Sequence, residues 1–573
     1  MANPQLNLFA MMRILIHPER GFWWLMLIYG VAISILGLSV PLSVQVLIGS
    51  VVNAAIVNQV LVLSFILFTV LALSAFFMAI QNYLMELFER RYFARMISEV
   101  TLRLLYAAQD GLNRKNRGDL VNRYFDIMTV QKSLPPLMTG GLATTLQTIA
   151  GITVTSFYHP VFLVFNLVTV LAVYLAFRLF DRFAGNSAVE LSSAKYGAAS
   201  WLDEVALSNS FYKSQRAIDH ALSRTRAVRE RYIEHHRRHF RYTFAQAVGF
   251  LLIYAVASST LLGLGGWLVI RGELTIGQLV AAELILAAIF YNLTRGIYYL
   301  ELYYDLYAAM TKLLQLVGVE PENINAGSNI PSWSPLLNFS NVHYKHDRGE
   351  LIFDFKLPAN SKTLMVVRSS VQEYAISDLL QGFTRENSGQ VLIDGHDVGD
   401  FNAHELRDEI VVVDATPLPV CSISDYLHIA DPRMSRAEMR GLLDAVGLNS
   451  DLPSISRAID ETLMPGGYPL SPVGLLKLKI AYALATKPKF LILTTQFDTL
   501  SMEARLTIMS RLESMSEMTV LCFTHRQDLD NFDQFIFCDF EKQTGFDSLD
   551  DAFNAYKVSV ADSLAVVEGS RTP

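Results

Sequence analysis

Eight residues, Val367 to Tyr374, lie where a phosphate-binding loop is expected, between an apolar run that begins at Thr363 and a helical stretch. Such a loop needs the pattern G-x-x-x-x-G-K-[ST], because glycines let backbone N–H groups close on phosphate and the lysine neutralises its charge. Here Val367 and Gln372 occupy the glycine positions, Glu373 the lysine position and Tyr374 the position of the metal-binding hydroxyl. The strand–loop–helix frame is kept, and every residue that carries the chemistry is replaced. The frame alone is equally consistent with an ordinary strand–loop–helix unit that never bound phosphate.

The replacement of lysine by Glu373 decides most of the chemistry. Two unit charges about 4 Å apart contribute roughly 4 kcal/mol at an effective dielectric constant near 20. The change therefore removes one such attraction and adds a comparable repulsion for each nearby phosphate charge. A millimolar ligand has only about 4 kcal/mol of binding free energy. We therefore expect nucleotide binding in the usual pose to be lost, unless Glu373 turns away or is protonated.

Composition limits the class of protein. The chain has 573 residues, of which 52% are hydrophobic and 18% charged, and its charges are unevenly placed, which indicates a membrane half and a soluble half. The net charge of -7, with no basic and aromatic pattern, argues against nucleic-acid binding. The three cysteines, Cys421, Cys522 and Cys538, have neither disulfide nor metal-ligand spacing. We predict no metal site and a reducing, cytoplasmic compartment for the soluble half.

Six apolar runs in the first half each reach the roughly 20 residues that cross a bilayer. They are Phe22–Ile48, Val60–Leu84, Leu137–Tyr158, Val161–Phe180, Phe244–Ile270 and Leu279–Leu300.

Charge placement orients these runs. The short connections between them carry almost no Lys or Arg, whereas the long loops Glu86–Pro136 and Asp181–Tyr242 carry many. The positive-inside rule then places both termini and both long loops in the cytoplasm. The long loops have helical spacing, so we expect them to extend the spans beyond the membrane. We interpret the basic stretch Arg231–Phe240 as a solvated helix facing lipid headgroups, and not as a metal site.

Three polar residues in or near the last run are candidates for a transport pathway, because ionisable groups inside a membrane are costly. They are Glu283, Asn292 and Arg295. A plain interfacial position is an equally good interpretation of Glu283, which lies close to the outer end of the run.

The soluble half follows a linker, Val319–Pro335, rich in Pro, Asn, Gly and Ser. Beyond it, short β-rich runs alternate with helical stretches, which predicts an α/β domain with a mostly parallel sheet. The runs are "TLMVV", "QVLID", "EIVVVD", "FLIL", "TVLCFTH" and "QFIFCDF".

This layout resembles a half-transporter of the ATP-binding cassette (ABC) exporters, with six spans followed by one nucleotide-binding domain. The resemblance rests on "GELTIGQLVAAELIL" (Gly272–Leu286) and "NRGDLVNRYFD" (Asn116–Asp126) in the membrane half, and on Ala359–Val398 and Leu470–Leu500 in the cassette. It implies three segments: a six-helix transmembrane domain at 1–318, a linker at 319–335 and a nucleotide-binding domain of P-loop type at 336–573.

The resemblance also places the family motifs, most of them altered, on this sequence. The aromatic residue expected to stack on adenine falls at His346, and the glutamine that senses the γ-phosphate falls at Ala415. The signature LSGGQ reads "LSPVG" and keeps only its serine, Ser471. The metal-binding Asp and catalytic Glu fall at Thr494 and Thr495, and the D-loop aspartate at Ser501; the switch histidine is kept as His525 and, like Ser471, is a possible relic.

Together these changes remove the phosphate clamp, the Mg²⁺ ligands and the base of phosphoryl transfer. Our leading hypothesis is a catalytically inactive half of an exporter in a bacterial inner membrane. A second half-transporter, a heterodimer partner in preference to a homodimer, would supply most of the binding of ATP and Mg²⁺, and secretion-system components and lipids are further expected partners. A non-transporting membrane scaffold or regulator is the alternative. A conventional ATP-driven exporter is a third, disfavoured by Glu373, Thr494 and Thr495.

Overall fold

The computed structural model describes residues 17–53, 57–108, 124–317, 319–322, 336–346, 349–386, 388–449, 459–515, 517–529 and 531–569, without the side chains of a few of them, such as 292–297 and 346. The chain forms two compact units. One comprises residues 1–107 and 111–321, and the other comprises residues 108–110 and 322–573.

The first unit is helical. Its helices are α1 (Arg20–Gly37), α2 (Ser39–Asn53), α3 (Val57–Leu105), α4 (Tyr124–Pro136), α5 (Leu142–Ser156), α6 (Pro160–Leu207), α7 (Gln215–Ile270) and α8 (Ile276–Val317).

Among the described residues of this unit, five stretches are long and apolar enough to cross a membrane: His17–Gly49, Asn58–Leu105, Tyr124–Ser156, Pro160–Leu207 and Gln215–Ile270. They contain the first five predicted runs, except for the last two residues of the third run, Phe157 and Tyr158. The sixth run corresponds to the start of α8, where the shorter stretch Ile276–Tyr291 is apolar. The described part of the chain therefore agrees with a helical membrane domain.

Breaks in these stretches follow from proline. The first run divides at Leu38, because Pro41 has no N–H to continue the helix hydrogen bonds of α1 and is tolerated in the first turn of α2. Pro135 and Pro136 end α4, and a π-helical turn, Leu137–Gly141, joins it to α5.

The long loops extend the spans as predicted. Helices α3, α6 and α7 contain 49, 48 and 56 residues. At about 1.5 Å per residue they are roughly 70 to 85 Å long, more than twice the ~30 Å hydrocarbon core of a bilayer. Their charged halves must therefore lie outside the apolar region.

The second unit is α/β. Its strands are β1 (Leu337–His346), β2 (Gly349–Leu357), β3 (Lys362–Val367), β4 (Ser388–Ile393), β5 (His396–Asp397), β6 (Ile410–Val413), β7 (Phe490–Leu493), β8 (Thr519–Thr524), β9 (Gln534–Cys538) and β10 (Gln543–Phe546). Its helices are α9 (Ser370–Leu380), α10 (Ala403–Glu409), α11 (Ile423–Ala430), α12 (Arg436–Ala445), α13 (Pro472–Thr486), α14 (Met502–Glu513) and α15 (Leu549–Gly569).

The strands of the described residues in this unit form two sheets. The larger has the order β10-β9-β3-β8-β7-β6, in which only β10 pairs antiparallel, so the predicted parallel sheet is confirmed. The smaller, β2-β1-β4-β5, is antiparallel. The run "QVLID" is a strand, β4, but it pairs with β1 and β5 instead of joining the parallel sheet. The first three residues of β4 are exposed, whereas the last five residues of β3 are buried.

Strand β3 leads into the loop and is packed on both faces. Leu364 and Val366 contact one apolar cluster, and Met365 and Val367 contact the other. Side chains of successive strand residues alternate between the faces, so β3 is held from both sides and its carboxyl end is fixed in position.

Candidate functional site

The loop after β3 is closed by its own helix. Ser369 is the N-cap of α9, and its hydroxyl accepts a hydrogen bond from the Val371 N–H at 3.3 Å. The side-chain oxygen of Gln372 accepts hydrogen bonds from the Arg368 N–H at 2.9 Å and the Ser369 N–H at 3.1 Å. Free N–H groups at such a loop and helix start would bind an anion, and these two already have an acceptor.

Gln372 is held in this position from its other end. Its amide nitrogen donates to the Cys538 carbonyl at 3.1 Å, and the side chain is fully buried. Since Cys538 ends β9, which pairs with β3, the closed loop is tied to the neighbouring strand. A buried, fully satisfied amide of this kind is costly to displace.

Glu373 contacts the end of β7. Its carboxylate accepts hydrogen bonds from the Thr495 N–H at 2.8 Å and from the Thr495 hydroxyl at 2.9 Å. Only 2% of Glu373 is exposed. Burial raises the pKa of Glu373, although the hydrogen bonds from Thr495 and the nearby His525 oppose the shift. The residue is turned inward, towards Thr495.

Thr494 is hydrogen-bonded to the adjacent strand, β6. It is buried, and its hydroxyl donates to the Val413 carbonyl at the end of β6 at 2.8 Å. A threonine with this bond satisfies its own polar group within the sheet and has no negative charge to offer a cation.

A second acidic residue, Asp498, organises the neighbouring loop and was not predicted. Its carboxylate accepts hydrogen bonds from the Thr524 hydroxyl and the His525 N–H, both at 2.8 Å. Burial raises the pKa of Asp498, against the effect of these bonds. The available signal was an acidic residue between the apolar Phe497 and Leu500 in "FDTL". His525 therefore lies near two carboxyl groups, those of the buried Glu373 and the partly buried Asp498.

Arg368 is directed away from the loop. It donates to Asp539 and to Ser559 of α15, both at 3.1 Å, and its guanidinium lies over the Phe540 ring. Although desolvation acts in the opposite direction, the hydrogen bonds from Ser559, the Phe540 N–H and Arg368 lower the pKa of Asp539. The cation in the loop is thus engaged with the carboxyl end of β9 and with α15.

Ser471 begins a different helix. It is the N-cap of α13, and its hydroxyl accepts a hydrogen bond from the Gly474 N–H at 3.0 Å. Pro472 occupies the first helical position, where the lack of an N–H is tolerated. Ser471 is exposed.

Lys479 of α13 connects this helix to the segment after β6, a contact that sequence reasoning missed. It donates to the Asp414 carbonyl at 2.6 Å and lies 3.5 Å from the Asp414 carboxylate. Burial lowers the pKa of Lys479, and Asp414 opposes the shift. The exposed Ala415 lies in the segment that Lys479 holds.

The structure thus brings Gln372, Glu373 and Thr495 together, with His525 nearby. Val367 lies buried at the start of the loop and Tyr374 is 40% exposed. Ser471 and Ala415 belong to the α13 region. His346 ends β1, and its side chain lies outside the described residues.

Among the membrane candidates, only Glu283 has a described side chain. It accepts a hydrogen bond from the Ser258 hydroxyl of α7 at 2.7 Å. Its second oxygen is buried and has no hydrogen-bond partner among the described residues. The side chains of Asn292 and Arg295 lie outside the described residues.

Comparisons with known proteins bear on both units. Residues 23–293 match the family model of the ABC transporter transmembrane region. The chain is 27% identical over 271 residues to the exotoxin translocation ATP-binding protein PaxB of Pasteurella aerogenes, covering 46% of this chain and 38% of that protein. It is 26% identical over 298 residues to the leukotoxin export ATP-binding protein LtxB of Aggregatibacter actinomycetemcomitans, covering 51% and 42%. The matches therefore span about two fifths of the length of these relatives.

The fold as a whole has a solved counterpart. A bacterial Atm1-family ABC exporter, solved with ATP bound, aligns with a TM-score of 0.80 over 92% of this chain and 96% of that one, at 18% identity. The chain therefore has the fold of an ABC exporter, and its residues 23–293 match the ABC transporter transmembrane region.

Proposed function

We propose that this chain is the catalytically inactive half of an ABC exporter and pairs with an ATPase-competent half to move a substrate out of the cytoplasm. One observation carries the proposal: Gln372 and Glu373 close the position of the phosphate loop with hydrogen bonds inside the chain. A triphosphate would have to displace these bonds and approach a carboxyl group where other exporters offer lysine.

The residues present do not suit ATP and Mg²⁺. Two loop N–H groups already donate to Gln372. Mg²⁺ prefers carboxylate and water oxygens, whereas the hydroxyl of Thr494 donates to a backbone carbonyl. Thr495 at the catalytic position cannot act as a base at neutral pH. We therefore assign no hydrolytic step to this chain and propose that a partner holds most of the nucleotide.

A partner is the second part of the proposal. In the exporter family, two cassettes face each other and each site combines the phosphate loop of one chain with the signature of the other. This chain would contribute Ser471 to the partner's site. Pro472 provides no N–H there, so we expect slow turnover even in the complex.

For the substrate we propose a polypeptide. The relatives are described as translocation or export proteins for an exotoxin and a leukotoxin, and this chain is related to them over about half of its own length. We further propose a bacterial inner membrane location with the cassette in the cytoplasm. The concentration of Lys and Arg in the long loops supports that orientation.

Coexpression of the full chain with a homologous half-transporter encoded nearby tests the proposal. We expect the chain alone to be silent in an ATPase assay and the copurified pair to hydrolyse ATP. ATP hydrolysis by the lone chain would instead favour the alternative of a conventional ATP-driven exporter. Silence in both preparations, with no homologue copurifying, would favour a membrane scaffold.

A further inference from the structure

The strongest unassigned feature of the membrane unit is a group of exposed arginines at one level of the helix pair α6 and α7. Four contacts fix the antiparallel register of the pair. The Gln246 amide donates to the Phe177 carbonyl, the Phe183 and Tyr242 rings stack, Ser187 lies 3.0 Å from His239, and Arg238 lies 3.2 Å from Glu190.

This register brings Arg182 of α6 level with the residues just after Arg241 of α7. At about 1.5 Å per residue, the two arginines are separated by roughly 3 Å along the helix axes. Arg178 lies one helical turn further along α6. Arg178, Arg182 and Arg241 are exposed. We call these three arginines, together with the apolar side chains beside them, the arginine belt.

The belt marks the point where charge begins on both helices. From Pro160 to Phe177 helix α6 carries no charged residue, and from Tyr242 to Ile270 helix α7 carries none. Arg178 is the first charge on one helix, and Arg241 the last before the apolar stretch of the other. By the register above, these two independent sequence boundaries lie within roughly 9 Å of each other along the helix axes, as expected near the place where the hydrocarbon region ends.

Large apolar side chains lie exposed beside the arginines. Leu179 is 65% exposed, Phe183 57% and Phe244 56%. Phe240 packs on Phe244 with ring centroids 5.4 Å apart. Aromatic rings and long cationic side chains together are typical of the interface between lipid tails and headgroups.

An acidic neighbour pairs with Arg178, but no described one pairs with the other two arginines of the belt. Asp181 lies 3.6 Å from Arg178, and Glu190 is engaged by Arg238 and His235. Within the described part of the chain, Arg182 and Arg241 have no ion-pair or hydrogen-bond partner. Each guanidinium offers a planar set of donors that suits phosphate.

We propose that Arg182 and Arg241 form a binding site for the phosphate headgroup of an anionic membrane lipid. The acyl chains of that lipid would lie along the exposed apolar surface of Leu179 and Phe244. A lipid is favoured over an acidic protein segment because the arginines adjoin this surface directly. The site is independent of the cassette and of any nucleotide.

Native mass spectrometry of the full chain in detergent, titrated with phosphatidylglycerol or phosphatidylcholine, tests the site. Each arginine near an anionic lipid surface contributes about a fivefold increase in affinity. We expect the first phosphatidylglycerol to bind at least about tenfold more tightly than phosphatidylcholine. Arg182→Gln with Arg241→Gln should remove most of this difference, and the two Lys substitutions should keep most of it. If the double Gln variant does not fold, each single variant should lose about fivefold.

A matched control removes two exposed arginines of the same helix elsewhere. Arg216 and Arg226 of α7 are exposed and lie roughly 38 Å and 22 Å from Arg241 along the helix axis, beyond the ~8 Å screening length at physiological salt. Arg216→Gln with Arg226→Gln should leave the lipid preference intact. Equal loss in both double variants would mean that net charge alone acts, and would overturn the proposal.

Three other outcomes would also overturn it. The first is an unchanged preference in the Arg182→Gln and Arg241→Gln variant. The second is displacement of the lipid by inorganic phosphate at equal concentration, which would indicate a site for a free anion. The third is loss of a copurifying acidic polypeptide with lipid affinity retained, which would indicate a protein interface.

Discussion

Glu373 and Thr495 form a closed pair in which one carboxylate accepts hydrogen bonds from both the N–H and the hydroxyl of the threonine, at 2.8 Å and 2.9 Å. The resemblance to ABC exporters predicts these residues at the positions of the phosphate-binding lysine and the catalytic glutamate. Their hydrogen bonds connect the start of α9 to the segment after β7.

The pair predicts a pH dependence of stability. Since burial raises the pKa of Glu373, the folded chain keeps a proton on it over a pH range in which the unfolded chain has lost it. This carboxyl favours the folded state at low pH, and the contribution disappears as the pH rises through the raised pKa. Glu373→Gln retains an acceptor for the Thr495 N–H without a charge. The variant should melt above the wild type at pH 8, and the difference should shrink towards pH 5.

Melting temperatures of the full chain in detergent, measured from pH 5 to 8, check this expectation. Glu541→Gln, at an exposed position, is the control and should change little at any pH. A Glu373→Gln advantage that grows as the pH falls would contradict the assigned direction.

The side chain of Gln372 should determine how strongly the backbone amides of the loop are protected from hydrogen exchange. Gln372→Ala leaves the Arg368 and Ser369 N–H groups without their acceptor, and the Cys538 carbonyl without its donor. At about 1 kcal/mol for each bond, the loop should lose roughly 2 to 3 kcal/mol of local stability. Hydrogen exchange of residues 367–372 should accelerate by about 30-fold or more. Gln390→Ala on β4 should leave it unchanged; unchanged exchange in Gln372→Ala would show that other groups hold the loop.

A substitution of Ser471 can distinguish its structural role as a helix cap from a functional role in the partner's site. Ser471→Ala removes an N-cap and should cost about 1 kcal/mol of stability. Ser435→Ala removes the equivalent cap of α12 and should cost about the same. If Ser471 serves the partner's site, only Ser471→Ala should lower the ATPase rate of the copurified pair. Equal rates in the two variants would show that the site does not use this serine.

Glu283 tests the membrane pathway. Glu283→Gln keeps an oxygen for the Ser258 hydroxyl and removes a charge whose second oxygen is buried without a described partner. We expect higher thermal stability and reduced transport by the coexpressed pair. Glu301→Gln, exposed on the same helix, should change neither. Unaltered transport in the Glu283→Gln variant would contradict a role of Glu283 in the transport pathway and would support a plain interfacial position.

The sequence was sufficient to predict the large features, because these depend on composition over many residues. Long apolar runs predicted the membrane helices, and short β-rich runs predicted the parallel sheet around β3. The run "QVLID" forms a strand as predicted, but the sheet that it joins could not be predicted, since strand composition does not say which strands pair. Asp498 and Lys479 were missed because their roles depend on contacts between distant segments: Asp498 holds Thr524 and His525, and Lys479 holds Asp414.

The site illustrates the same limit. The loop pattern predicted the lysine position at Glu373, the resemblance to ABC exporters predicted the catalytic position at Thr495, and charge arithmetic predicted a loss of nucleotide affinity. The hydrogen bonds between these two residues, and the closure of the loop by Gln372, required the fold, because β3 and β7 are separated in the sequence and both pair with β8.

The most direct test of the inactive cassette is the affinity of the purified lone chain for ATP with Mg²⁺, measured by calorimetry together with phosphate release. The account predicts no binding up to about millimolar concentration and no release, since a repulsion replaces the main phosphate attraction. Micromolar affinity with turnover by the lone chain would contradict the account.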